Sequence, residues 1–388
     1  MNRLVVALLL ALIAVGGATA LPHSQARAAG SANFFVSPTG SDAADGLTPQ
    51  HPFKTIQAAL NRATAGATIH LAAGKYYENP VTRVNGTAAA PITVLGTDTG
   101  LVASHRGGTV LYGTGRVFTI NNSYIRLQGF TINGEKYLPA VAYPTSLAAV
   151  TAFKNSIRAH VVDSTLVFIG ASANARFLTG DVIDDMLLAD AGGSCVRIRQ
   201  GAHGNQIVNS TIQWCGMYGK YVSSAIYAYH NGEGIYLGTS PKSVTDPMYA
   251  DDTTSYNTIS HNVINTFGTE CLDVKENSHH NAFLYNTCTA NTEPLADYGS
   301  NVEIRGYNNS VVGNTIRGSL GYGLKLAADG AANPQGGNIA QSNVFSGDSG
   351  SPIRNDQTKA QGLFCGNSFG VVNYLHGATV GTATATCA

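Results

Sequence analysis

The phrase NQIVNSTI at residue 205 returns as NTISHNVI at 257, NAFLYNTC at 281 and NSVVGNTI at 309, with looser copies NIAQSNVF at 338 and GLFCGNSF at 362. Aligning the copies puts Asn209, Asn262, Asn286, Asn314, Asn343 and Asn367 in one column, and after the first gap the steps are 24, 28, 29 and 24 residues. Between the copies lies a second run: CVRIR at 195, GIYLG at 234, CLDVK at 271, VEIRG at 302 and GLKLA at 323. Apolar residues at every second position mark a strand with one buried face. A two-strand unit of about 25 residues cannot bury that face alone, so units must stack. The expected product is an all-β parallel β-helix, a solenoid whose turns pair their strands along its length. The Asn column suits a corner of each turn, because Asn tolerates left-handed backbone angles and can bond to the Asn above and below.

The rest of the chain agrees with this reading. HPFKTIQAALNRATAGATIHLAAGKYY reads as one short helix from about Phe53 to Arg62, a Gly break, then the first strand. Such a helix can cap the open first edge of a solenoid. Weaker copies of the turn occur at RVFTINNSYIRLQGFTING and SIRAHVVDSTLVFIG. One domain is therefore expected over 29–388, with the cap over about 30–75. The first 28 residues, a charged start, the run LVVALLLALIAV and small-residue stops, read as a secretory signal peptide.

Export favours disulfides over metal ligands for six cysteines, and fifteen pairings are possible. Sequence neighbours are the expected pairs: Cys195 with Cys215, Cys271 with Cys288, and Cys365 with Cys387. Lys and Arg together number 23, as do Asp and Glu, so no global field argues for nucleic acid or an anionic membrane. A soluble monomer, without membrane or nucleic-acid partners, is expected.

With charged residues at 12% of the chain, ECLDVKENS at 270 stands out for its three carboxylates and one lysine. Stacking the alternating runs by their apolar residues gives inward columns of Ile235, Leu272, Val302 and of Leu237, Val274, Ile304. The outward columns are then Tyr236, Asp273, Glu303 and Gly238, Lys275, Arg305. Glu233 and Glu270 enter at the upstream corner of the same sheet. Like charges so stacked are destabilising unless something compensates them. Paired carboxylates invite a cation, and oxygen ligands favour Ca2+. A lysine beside an arginine should be lowered in pKa, as suits a general base. The bland reading is a cross-strand ladder in which Asp273 simply pairs with Lys275 or Arg305.

The stretch FFVSPTGSDAADGLTPQHPFKTIQAAL with AGATIHLAAGKYYE resembles the opening of secreted right-handed parallel β-helix proteins of the pectate-lyase-like superfamily. ECLDVKENS with NVEIRGYNN resembles the active-site region of lyases related to chondroitinase B and alginate lyase. The resemblance implies a metal-binding Glu270 five residues before a base, Lys275, and a catalytic Arg305; Gly268 stands where a second metal ligand is usual. It implies β-elimination on a uronic-acid polymer, an acidic polysaccharide partner and Ca2+ held among Glu233, Glu270, Asp273 and Glu303.

Near this face, Trp214, Tyr218, Tyr221 and Tyr236 are candidates for stacking on sugar rings, while His230 and Tyr236 are candidates for the leaving-group acid. The insertion from Thr239 to Ser255 could wall a groove. Three alternatives stay open. A glycoside hydrolase on the same fold would use Asp273 with Glu303 or Glu233; an epimerase would leave polymer length unchanged; a carbohydrate-binding or surface β-helix would have no catalysis.

Overall fold

Each copy of the repeated phrase folds as two short strands with a corner between them. Gln206–Val208 and Thr211–Gln213 belong to different sheets, as do Thr258–Ser260 and Val263–Asn265. The alternating run supplies a third strand, such as Val196–Ile198 or Ile235–Leu237. A turn therefore has three strands where the sequence reading counted two, because two residues of corner are too few to stand out in an alternating pattern. The computed structural model describes residues 32–101, 106–134, 164–216, 232–241, 244, 246–266, 270–289, 299–327, 336–371, 373–378, 380 and 386–387. Among them are three sheets, of eleven, nine and nine strands. Strands pair in parallel with the turns before and after, as Gln206–Val208 does with Val182–Asp184 and with Thr258–Ser260. The fold is an all-β, right-handed parallel β-helix with a short helical cap. The signal-peptide segment, and most of the weaker copy that begins at Ser156, lie outside the described residues.

Every sheet sends its apolar column inward. Ile207, Ile212 and Ile235 of one turn are fully buried, as are Ile259, Ile264 and Val274 of the next. One continuous cluster runs from Phe34 to Val380. The N-terminal helix is shorter than the sequence suggests, Ile56–Leu60, and Thr55 caps it by accepting from Ala58 N. The Glu78 carboxylate accepts from the first two helical amides, Ile56 N and Gln57 N, satisfying donors that a helix start leaves open. The first strand, Asn33–Val36, precedes this helix and pairs with Thr68–Leu71, which follows it.

The Asn column is architectural, with two corrections. Asn262, Asn286, Asn314, Asn343 and Asn367 form a buried ladder in which each Oδ1 accepts from the backbone and side-chain amides of the preceding rung. Ser210, not Asn209, occupies the rung below Asn262. The left-handed angles fall one residue earlier, on Asn209, His261, Tyr285, Gly313, Ser342 and Gly366. Ladder Asn residues are thus chosen for their amide, not for tolerance of positive φ. A second ladder, Asn205, Asn257, Asn281, Asn309 and Asn338, lines the corner before the same strands. It was visible as the first letter of five of the six phrases.

All three neighbouring cysteine pairs are bonded, Cys195–Cys215, Cys271–Cys288 and Cys365–Cys387, and no described cysteine is free. The first two tie the end of a second-sheet strand to the start of a third-sheet strand, stapling the corner beneath the charged face.

The second ladder begins at Asp181, whose Oδ1 accepts from Ile125 N and whose buried Oδ2 has no partner. Burial raises this carboxyl well above its ordinary range, against the pull of the Ile125 amide. The folded chain therefore holds the proton more tightly than the unfolded chain. That contribution is full in acid and is lost as pH climbs from the ordinary carboxyl range through the folded value. Asp181→Asn keeps the acceptor and removes the charge. We expect it to be more stable than the parent in mildly alkaline buffer, with the gap closing in acid, as read from thermal midpoints across pH.

Candidate active site

The charged face sits on the third sheet, across strands Val196–Ile198, Ile235–Leu237, Leu272–Val274, Ser300–Ile304 and Tyr322–Leu326. The register derived from the sequence holds: Ile235, Leu272 and Val302 align, as do Tyr236, Asp273 and Glu303, and Leu237, Val274 and Ile304. The outward column extends in both directions, from Arg197 beside Tyr236 to Lys325 beside Glu303 and Arg354 beyond. Backbone bonds continue the ladder one residue further, Lys275 N to Leu237 O and Arg305 N to Val274 O, so Lys275 and Arg305 are neighbours across rungs.

Diagonal pairing compensates the stacked like charges. Asp273 Oδ2 lies 2.5 Å from Lys275 Nζ, and Arg305 Nη1 donates to Asp273 Oδ1 at 2.7 Å. Glu303 Oε1 is 3.0 Å from Arg305 Nη2 and 3.1 Å from Lys325 Nζ. The pairing expected of a charge ladder is therefore present. What a surface ladder does not predict is the depth: side-chain exposure is 3% for Asp273 and 2% for Glu303, against 10% for Lys275 and Lys325 and 15% for Arg305. Carboxylates lie deepest, and the cations, themselves largely buried, lie nearer the surface.

This arrangement sets the protonation states. Burial and the neighbouring Arg305 push the Lys275 ammonium down, but Asp273, Tyr236 and Glu233 together carry it above its ordinary value. The expectation of a lowered Lys275 is thus corrected: Arg305 acts in the anticipated direction, and the carboxylates outweigh it. Burial raises the Asp273 carboxyl against the pull of Arg305 and Lys275. Burial also works against Glu303, yet Arg305, Lys325, Lys275 and a hydrogen bond with Glu270 bring it down to about 2.

Of the four candidate metal ligands, three converge. Glu233, Glu270 and Asp273 are all buried and each offers an oxygen within 4.8 Å of the others. Three hard carboxylate oxygens at that spacing fit a Ca2+ ion. Glu303 faces the two cations instead and joins the cluster through Glu270. Glu233 also accepts from Ser194 Oγ, which in turn accepts from Arg197 Nε.

The aromatic candidates divide. The Tyr236 ring lies under Lys275 Nζ, 4.8 Å from its centroid, with Arg197 and Arg199 at 5.0 and 5.2 Å, so cations occupy its surroundings. Trp214 is buried at the corner after Thr211–Gln213. Tyr218, Tyr221 and His230 lie outside the described residues, as does Gly268. Within the insertion after Thr239, the short helix Pro247–Tyr249 packs Tyr249 against Phe168 and Ala171, at the upstream end of the third sheet. Sequence reasoning missed Arg197, Arg199 and Lys325. All three stand at outward positions of the runs CVRIR and GLKLA, so carrying the register one rung each way would have found them.

A right-handed parallel β-helix with a layered ionic cluster across one sheet is the class that fold and site define. The chain belongs to the family described as Protein of unknown function (DUF1565), whose model matches residues 38–264, a span that includes Glu233 and Tyr236 and ends before Glu270. It is 45% identical to pectate lyase PEL9 of Emericella nidulans over 62 residues, 16% of this chain and 15% of that protein. It is 38% identical to the uncharacterized protein YwoF of Bacillus subtilis over 71 residues, 18% of this chain and 15% of that one. The matches thus span about 15% of either relative's length. Among solved structures it is similar to an alginate lyase from Paenibacillus sp. str. FPU-7, with TM-score 0.61, 19% identity, and 82% of this chain and 94% of that one covered. A rhamnogalacturonan lyase gives 0.58 at 16% identity, covering 92% and 86%, and pectate lyase Pel9A gives 0.54 at 12%, covering 92% and 81%. At these identities the likeness is one of fold.

Proposed function

We propose that this protein is a secreted polysaccharide lyase that cleaves a uronic-acid polymer by β-elimination at Lys275 and Arg305. The observation that carries the reading is the layering of the third sheet, with carboxylates deepest and the cations above them nearer the surface. Such a face attracts an acidic chain, and the names of the lyases to which the chain is similar point the same way. Three disulfides suit an exported protein.

Arg305 binds the sugar carboxylate and stabilises the negative charge that builds on it as the C5 proton leaves. Lys275 takes that proton, the C4–C5 double bond forms, and the glycosidic oxygen at C4 departs with the bonding pair. Glu233, Glu270 and Asp273 would hold Ca2+, which when bound would help to neutralise the same carboxylate. Asp273 has a positioning part as well, holding both Lys275 and Arg305 on one side of the groove.

A base must be neutral, and Asp273 keeps Lys275 charged. The rate of polyuronate cleavage should therefore climb with pH through neutrality into the alkaline range, as the deprotonated fraction grows. Adding Ca2+ should move the rise to lower pH by drawing Asp273 away from Lys275, and chelator should reverse that shift. A bell with an acidic optimum, as a pair of carboxyl groups in a hydrolase would give, contradicts the proposal.

A further inference from the structure

Among the described residues, two arginines upstream of this cluster form no ion pair. Arg197 spends Nε on Ser194 Oγ, and its terminal nitrogens make no hydrogen bond or ion pair among the described residues. The Arg199 side chain makes none among the described residues, and its Nε is buried without a partner. Asp252, the carboxylate whose charge acts on Arg199, is committed elsewhere: Oδ1 accepts from Gly201 N, Thr254 N and Thr254 Oγ1, and Oδ2 from Thr239 Oγ1. Burial and the adjacent Arg197 charge both lower the Arg199 pKa, so the pair repels itself as it stands.

Rings hold the Arg199 guanidinium in place. Its carbon is 4.9 Å from the Tyr249 centroid, 5.2 Å from Tyr236 and 5.8 Å from Phe168. Aromatic faces attract the cation but take none of its N–H groups, which remain available in the fork geometry that matches a carboxylate. The outward neighbours of Arg199 on adjacent rungs are Gly170 and Gly238, both at positive φ, so neither sends a side chain of its own against the guanidinium, although Ser278 Oγ fills the space a Cβ at Gly238 would take. Gly238 separates Arg199 from Lys275. Two rungs are about 10 Å.

We propose that Arg197 and Arg199, walled by Phe168, Tyr236 and Tyr249, bind a carboxylate of the saccharide chain about two rungs upstream of Lys275. The polymer then lies along the solenoid axis, crossing successive turns of the third sheet, and carries acid groups on sugars beyond the one that reacts. This rests on the reading of the face as a polyuronate site, and the test keeps the two separable.

Binding is measured by calorimetry on the Lys275→Gln chain, which prevents turnover, with hexamers of galacturonate, mannuronate, guluronate and glucuronate and with their carboxyl-reduced counterparts. Adding Arg199→Gln should weaken the hexamer that binds by roughly 10- to 100-fold. It should leave the reduced form unaffected, and Arg199→Lys should fall between. If Arg199→Gln does not fold, Arg197→Gln carries the same expectation. Unchanged affinity in a folded variant, an equal loss with the reduced hexamer, or no binding of any acidic hexamer would overturn the proposal. A hexamer that binds and is weakened by Arg199→Gln, yet gives no unsaturated product with the parent chain, would remove the lyase and leave this subsite standing.

Discussion

Lys275→Arg should keep the fold and lose the reaction. Arginine preserves the positive charge that Asp273 and the Tyr236 ring meet, so the buried carboxylate is not stranded. It cannot give up its proton in any ordinary buffer, so it is no base. We expect kcat on a polyuronate to fall by about 10³-fold or more, with KM changed little and the thermal midpoint close to the parent's. If the cluster were only a ladder of ion pairs, Lys275→Arg would leave activity intact. Arg305→Ala is a blunter change, because it leaves Asp273 and Glu303 each short of a cation; it should cost about 3–5 kcal/mol of stability as well as activity.

The second large effect belongs to the solenoid. Asn286 accepts from Asn262 N and Nδ2 and donates to Ile259 O and Asn314 Oδ1, all buried. Asn286→Ala leaves the Asn262 backbone and side-chain amides without their acceptor, removes the side-chain donor to the Ile259 carbonyl and breaks the ladder at its middle. Each buried orphan costs about 1–3 kcal/mol, so a loss of about 3–5 kcal/mol in denaturant unfolding is expected. Asn209 lies one residue off the ladder, and its side chain donates to Asp184 Oδ1, a carboxylate that Arg126 and Gln128 also hold. Its replacement by Ala should cost only about 1–2 kcal/mol, mostly from the left-handed backbone. Equal losses at the two sites would mean that the ladder contributes nothing beyond its corner geometry.

The contrast between these asparagines shows what was legible in the chain. Period-two alternation fixes which residues face inward, so the register from Tyr236 through Asp273 to Glu303 could be written down from letters alone. A corner has no such period. Asn209 looks like its neighbours in the column but is the fifth letter of its phrase where they are the sixth, and Ser210, at the sixth, takes the rung. Protonation was less legible still. Seeing Lys275 beside Arg305 suggests a lowered lysine, but the outcome depends on distances to Asp273 and Glu233 across three turns, and these reverse it. Arg199 lay in plain view in CVRIR, yet its isolation from carboxylates is a fact of packing that no spacing encodes.

The most direct test of the central claim is the ultraviolet absorbance of the purified protein mixed with pectate, alginate, glucuronan and glycosaminoglycans, with Ca2+ and with chelator. Elimination leaves a C4–C5 double bond conjugated to the carboxylate, so the account predicts a rising signal with at least one of these polymers. New reducing ends without the chromophore would contradict it and assign the carboxylates to hydrolysis instead.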